Sequence, residues 1–168
     1  MIHAREKDFD AVKDIYTQHK EWFGFVRADY IERTIINNGE KFNFPVSFDN
    51  NHISNNLLVF EDGVIITYAI NKVKHKLGKF PNVCNVNTYK GDVILHQIGA
   101  KNRNGSASRM LQKFFKEHKR VFLSVHSSNK IAKKFYEKNG MSLVGHTTFA
   151  KATIPGDIYF YDGVEEVL

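Results

Sequence analysis

The chain of 168 residues holds one cysteine, Cys84, and three prolines. A lone thiol excludes an internal disulfide and any zinc cage built from several cysteines. The eight histidines include no i,i+4 pair, so no metal site is expected. Nothing in the chain reads as a Pro-rich or Gly/Ser-rich linker, an internal repeat or a low-complexity block, and a single domain over residues 1–168 is the expectation. No apolar run approaches the roughly twenty residues that a membrane-spanning helix needs. The first eight residues, Met1 to Asp8, carry no apolar core of a secretory signal, so a cytoplasmic protein without a membrane partner is expected. Acidic residues are the scarcer charge, 18 against 24 Lys and Arg, which leaves +6 and favours a polyanionic or phosphate-bearing partner.

The apolar content of 42% suits a folded core, and its spacing sets out the elements. Phe9, Val12, Ile15, Tyr16 and His19 have helical spacing, with Asp8 as N-cap. A second helix is expected over residues 28–38, with Gly39 as its stop, followed by an Asn-rich loop to Asn56. Leu57-Leu58-Val59-Phe60 and the run from Val64 to Ile70 flank Asp62-Gly63, a hairpin signature, because both turn positions require positive φ. Residues 74–90 read as an exposed loop. Then follow a strand over residues 93–98, a polar turn and a helix carrying Ala107, Met110, Leu111, Phe114, Phe115 and His118. A short strand over residues 121–125 leads to Ser127-Ser128 as a cap for a helix with Ile131, Ala132, Phe135 and Tyr136, closed by Asn139-Gly140. Strands near residues 142–144 and 157–161 finish the chain.

A βαβα unit carries its ligands at the strand carboxyl ends, so this half is expected to hold the function. The turn Asn102-Arg103-Asn104-Gly105-Ser106-Ala107-Ser108 leads from strand to helix, where free N–H groups and the helix dipole attract phosphate. It is neither a P-loop nor a dinucleotide fingerprint, and an Asn-Gly turn with a serine cap would look the same.

Downstream stands Asn129-Lys130-Ile131-Ala132-Lys133-Lys134-Phe135-Tyr136-Glu137-Lys138-Asn139-Gly140-Met141. This string resembles the Asn-x-x-Ala-x-x-Phe-Tyr-Glu-Lys-x-Gly-Phe signature of the GNAT N-acetyltransferase superfamily. The upstream turn resembles that family's pyrophosphate loop, with Gly105 and Ala107 in its small-residue slots. Asn102 stands where the family has Arg or Gln, and Met141 where Phe is common. The resemblance covers roughly residues 92–147 and fits the order of the earlier elements.

The resemblance implies an α/β (mixed α+β) fold with a central, mixed, mostly antiparallel sheet, a V-shaped splay between two strands and about four flanking helices. It implies acetyl-CoA as cofactor and an amine acceptor (protein, small molecule or nucleic acid), with a homodimer as an admissible assembly. Backbone groups at Gln97, Ile98 and Gly99 would meet the pantetheine arm and polarise the thioester. Arg103, Asn104, Gly105, Ser106, Ala107 and Ser108 would hold the pyrophosphate, and Asn129 would bond the cofactor. Tyr136 would protonate the leaving thiolate, a task suited to a hydroxyl neutral at pH 7. Part of the lysine charge at positions 113, 116, 119, 130, 133, 134 and 138 would serve the cofactor's phosphates. His96 is the foremost candidate base, with Asp92, read as a solvated strand end, and Glu40 behind it. An acceptor pocket beside the first helices would draw on Trp22-Phe23-Gly24-Phe25 and Phe42-Asn43-Phe44-Pro45. Two other readings share the fold: a phage-type enzyme that modifies a nucleobase, and a non-catalytic binding protein.

Overall fold

A computed structural model describes residues 1–23, 28–37, 56–76, 86–149 and 153–163. A 3-10 turn at Glu6–Asp8 precedes α1 (Phe9–Gln18), α2 (Lys20–Phe23) and α3 (Ala28–Asn37). There follow β1 (Leu57–Glu61), β2 (Val64–Ile70), β3 (His75–Lys76), β4 (Asn87–Thr88) and β5 (Val93–Ala100). The second half runs α4 (Ser106–Glu117), β6 (Arg120–His126), α5 (Lys130–Lys138), β7 (Ser142–Phe149) and β8 (Ile154–Asp162). Six strands form one sheet in the order β1-β2-β5-β6-β8-β7, and β5–β6 is its parallel pair. Parallel neighbours need a crossover, and α4 supplies it. The remaining pairs are antiparallel.

Residue alternation along the strands divides the core in two layers. Val64, Ile66 and Tyr68 of β2, Leu95 of β5 and Val121 and Leu123 of β6 pack against Met110, Leu111, Phe114 and Phe115 of α4. On the other face Leu58 and Ile65 meet Val12, Ile15 and Tyr16 of α1 and Ile31 and Ile35 of α3. Farther along that face lies a smaller cluster of Val86, Ile94, Phe122 and Ile158. Burying each such side chain contributes about 1.5–3 kcal/mol.

The hairpin forms where the sequence places it, with Asp62 and Gly63 at φ 53° and 70°. Four expectations need correction. Asp8 holds the N-cap position of α1, but its carboxylate accepts from the Arg5 N–H at 2.9 Å and caps nothing in α1. The stretch read as an exposed loop contains the β3–β4 ribbon and buried Val86 and Thr88, since Thr88 bonds the Asn71 side chain. The cap of α5 is Asn129, whose Oδ1 accepts from the Ala132 N–H at 3.1 Å, so Ser127-Ser128 lie before it. Asp92 is buried rather than solvated. Its carboxylate takes Arg120 Nε at 2.7 Å and Nη2 at 3.3 Å, together with the Tyr89 N–H at 2.8 Å. Gly39, Glu40, the Phe42 to Pro45 segment, Cys84 and the loop over residues 40–55 fall outside the described residues, as do the side chains of Trp22, Phe23 and Phe25.

A second buried carboxylate fastens α5 to the sheet. Asp157 of β8 accepts from Ser127 Oγ at 3.0 Å and His146 Nδ1 at 2.9 Å, and pairs with Lys133 Nζ at 2.7 Å. Burial alone would raise its pKa, but the hydrogen bonds from Lys133, His146 and Ser127 outweigh it and hold the carboxyl below its ordinary value.

These two carboxylates yield separate predictions. Asp92→Ala strands the Arg120 guanidinium and the Tyr89 N–H, and should cost about 2–4 kcal/mol in urea unfolding at pH 7. A loss under about 0.5 kcal/mol would show the pair to be idle. A carboxyl with a lowered folded pKa stabilises above its unfolded pKa, and that contribution vanishes as pH falls through the folded one. The stability gap between wild type and Asp157→Asn should therefore be full near pH 7 and shrink below about pH 4. A gap that stays constant on acidification would contradict the ion-paired state.

Candidate functional site

The two central strands are neighbours for only two register pairs, Val93 with Val121 and Ile94 with Phe122. Beyond them β5 follows β2 as far as Ala100, and β6 follows β8 as far as His126. Strands that keep their outer partners and lose each other open a wedge with unpaired backbone along its sides. The register of β5 also slips. Thr67 faces Gln97 and Tyr68 faces Leu95, which leaves His96 as the extra residue of a β-bulge.

A cleft of about 430 Å3 opens at the wedge. Ile98, Gly99 and Ala100 form its strand wall. Asn102, Arg103, Gly105, Ala107 and Ser108 line it from the turn and first helical residues of α4. Asn129, Ile131, Ala132, Phe135 and Tyr136 face them from α5. The fold thus gathers eight residues that the sequence nominates: Ile98, Gly99, Arg103, Gly105, Ala107, Ser108, Asn129 and Tyr136.

The start of α4 is built to leave donors open. Gly105, at φ 84°, adopts a left-handed conformation that side chains resist. A Cβ there would also meet Arg109 Nη1 at 3.2 Å. Asn104 Oδ1 accepts from the Ser106 N–H at 3.1 Å, and the Asn104 carbonyl takes Arg109 Nη1 at 3.1 Å. The N–H groups of Ala107 and Ser108 find no acceptor among the described residues, and the first turn carries no acidic side chain. Two open donors at the positive end of a 12-residue helix favour an anion.

Tyr136 is buried in the cleft wall, its ring 5.5 Å from that of Phe135 and 6.2 Å from that of Tyr159. Its hydroxyl makes no hydrogen bond among the described residues, and burial pushes its pKa up to about 12. Tyr159 is engaged elsewhere, donating to Glu137 Oε1 at 2.7 Å. Asn129 spends its Oδ1 on capping α5, which leaves Nδ2 as the donor it can offer a ligand.

Four nominated residues do not line the cleft. Gln97 turns to the opposite layer, where its Oε1 accepts from Tyr16 Oη at 2.9 Å and Thr67 Oγ1 at 3.2 Å. Asn104 and buried Ser106 shape the α4 turn instead. His96 is exposed on the bulge, and desolvation by the surrounding protein lowers its pKa to about 4. An imidazole with one open side keeps part of its hydration, so the direction is what matters: His96 is neutral at pH 7. None of the lysines on α4 and α5 lines the cleft either.

Sequence reasoning missed Gln18 and His19, which close the cleft from the end of α1. Gln18 Nε2 donates to the Lys101 carbonyl at 3.1 Å, and His19 Nε2 meets the Ala100 carbonyl at 2.8 Å. Their only advance signal is the helical spacing that places His19 one turn beyond Ile15. Among the described residues no group of three or more His, Cys, Asp or Glu stands ready for a metal ion. No helix among them is long and apolar enough to cross a membrane.

No protein-family model and no curated protein matches the sequence. Solved structures do match over nearly the whole chain. A GNAT-family acetyltransferase from Bacillus cereus is 20% identical, with TM-score 0.56, covering 97% of this chain and 96% of its own. Arabidopsis thaliana NAA60, solved with acetyl-CoA, is 13% identical with TM-score 0.58, covering 95% and 96%. AAC(6')-Ib, solved with ribostamycin and coenzyme A, is 13% identical with TM-score 0.61, covering 95% and 90%. At such identities the likeness speaks for architecture, and it agrees with the splayed mixed sheet: the chain has the fold of the GNAT N-acetyltransferases.

Proposed function

We propose that the chain is an acetyl-CoA-dependent N-acetyltransferase that moves an acetyl group to an amine by direct attack. The observation that carries this reading is the wedge itself. Where β5 leaves β6, one cleft joins strand backbone, the open N-terminus of α4 and the Tyr136 hydroxyl, which has no hydrogen-bond partner among the described residues. Two structural neighbours were solved with acetyl-CoA or coenzyme A, which supports the same ligand here.

The residues present fit that ligand. The Ala107 and Ser108 N–H groups would hold its pyrophosphate, and Gly105 leaves the approach that a Cβ would fill. Arg103, exposed at the same lip, adds positive charge, a partial substitute for the side chain missing at Asn102. Residues 98 and 99 of β5 would present backbone to the pantetheine arm and an N–H to the developing oxyanion. Asn129 Nδ2 would donate from the facing wall. When bound, acetyl-CoA supplies an activated thioester. Tyr136 Oη holds a proton at the cleft wall, releases it to the departing sulfur, and regains one as the acetylated nitrogen sheds its own. His96, outside the cleft and with its pKa lowered, is a poor acceptor for an ammonium proton, so the amine is expected to enter already neutral.

Two measurements test this reading. Tyr136→Phe should lower kcat about 100-fold while KM for acetyl-CoA changes less than about threefold. With the hydroxyl pKa near 12, the wild-type rate should show no loss from tyrosine ionisation up to about pH 10. Unchanged turnover in the phenylalanine variant would remove Tyr136 from the mechanism and leave the fold standing. Acetyl-CoA at about 100 times its Kd should stabilise the native state by about 2.7 kcal/mol in thermal unfolding. Gly105→Val should abolish most of that gain, and full retention would sink the anion cradle.

A further inference from the structure

We propose that the outward faces of α4 and α5 form a docking surface for the phosphate backbone of duplex nucleic acid. The inference does not depend on acetyl transfer, because no lysine of this surface lines the cleft. Charge is unevenly spread along the chain. Residues 101–141 contain eleven Lys or Arg against two Glu, a net +9, so the remainder of the chain is −3. A segment of about a quarter of the length thus carries more than the whole positive excess.

Pairing narrows the set. Arg120 and Lys133 are spent on buried Asp92 and Asp157. Arg109 lies 3.5 Å from Asp62, and Lys113 2.7 Å from Glu61. The two glutamates of the segment are engaged as well, Glu117 by the N-terminal ammonium and Glu137 by the Tyr159 hydroxyl. Lys116, Lys130, Lys134 and Lys138 are exposed and form no ion pair among the described residues.

Geometry assembles them. Lys130, Lys134 and Lys138 recur every four residues, so they share one face of α5 in steps of about 6 Å. Arg109, Lys113 and Lys116 share a face of α4 in the same way and line a shallow groove with Gln112. The two faces adjoin through an amide seam. Gln112 Nε2 donates to the Asn139 carbonyl and Oδ1 at 3.0 and 3.1 Å, and Asn139 Nδ2 donates to Ser108 Oγ at 3.3 Å. Lys138 on one helix and Lys116 on the other therefore flank a continuous surface.

The surface chemistry selects the occupant. Protein interfaces are depleted in lysine and anchored by aromatic residues, and amphipathic membrane-binding faces carry apolar side chains. Of the exposed large apolar residues described, Ile131 alone belongs to α4 or α5, and no exposed aromatic does. Lysine-rich, anchor-poor surfaces suit a regular array of phosphates, where affinity comes from counterion release.

The test is fluorescence anisotropy with a labelled DNA duplex of about 24 base pairs across roughly 50 to 200 mM salt. Wild type should bind with a Kd that rises at least about sixtyfold over that range, which is a slope of about 3 or steeper. Lys116→Gln/Lys134→Gln/Lys138→Gln should weaken binding more than about tenfold at the lowest salt and flatten the salt slope by about 3. Lys7→Gln/Lys13→Gln/Lys20→Gln, which removes equal charge from the α1 and α2 region, should stay within about threefold of wild type. Melting curves establish that both variants fold. Equal weakening by the two variants would overturn the assigned surface. No duplex binding by wild type at low salt would overturn the partner, as would tighter binding to phosphatidylserine vesicles or to polyglutamate.

Discussion

The ladder between β5 and β6 stops after Ile94 and Phe122, and the candidate site follows from that stop. A sheet normally satisfies both edges of every inner strand. Here two inner strands separate while each keeps its outer neighbour, so the opening is held from both sides by intact pairing. The bulge at His96 adjusts the β5 side, shifting its pairing with β2 by one residue between Leu95 and Gln97. Beneath it Gln97 is gripped by Tyr16 and Thr67 in a buried polar network, which fixes the strand at the point where it leaves β6. Burial raises the Tyr16 pKa, so its hydroxyl remains a donor at neutral pH.

The helices convert the opening into a site with two electrostatic ends. α4 starts where β5 ends and directs open N–H groups into the cleft. α5 starts where β6 ends, but there Asn129 caps the helix and the wall is largely apolar, with Ile131, Ala132, Phe135 and Tyr136. One wall suits phosphates, while the other suits an apolar arm and keeps the Tyr136 hydroxyl protonated through desolvation. The end of α1 completes the enclosure by bonding backbone carbonyls at residues 100 and 101.

Locally encoded features were legible in the sequence. Asp62-Gly63 announces its own turn, because few residue pairs accept positive φ twice. The Gly105 turn and the Asn129 to Gly140 string contribute six of the nominated residues to the cleft, and Ile98 and Gly99 of the preceding strand contribute two more. What escaped depends on partners distant in the chain. Nothing within Leu95-His96-Gln97 shows that one residue is unpaired, since a bulge is a property of two strands and not of one. Tyr16 meets Gln97 across 81 residues, and His19 meets Ala100 across the same separation. Asp92 looked solvated because its partner, Arg120, lies 28 residues on. Ser127-Ser128 and Asn129 are each competent caps, and only the fold shows which oxygen reaches the Ala132 N–H.

The departure at Asn102 bears on how the chain distributes its charge. An anion at the α4 terminus would be held by backbone N–H groups and the helix dipole, which any sequence with a small residue at 105 provides. Loss of a cationic or amide-bearing long side chain at 102 therefore removes a supplement and leaves the main donors in place. Arg103, which lines the same cleft, would cover part of that supplement. The lysines of α4 and α5 are accordingly surplus to the cleft, and they stand apart from its lining. A solvated helix face ordinarily alternates charge sign, because i,i+4 pairs of opposite sign stabilise and like pairs repel. Lys130, Lys134 and Lys138 instead place like charges at that spacing, with the intervening Glu137 turned to Tyr159. A helix that carries this repulsion is relieved when polyanionic charge is brought to its face, so the lysines that repel one another on α5 alone would favour it in the proposed complex.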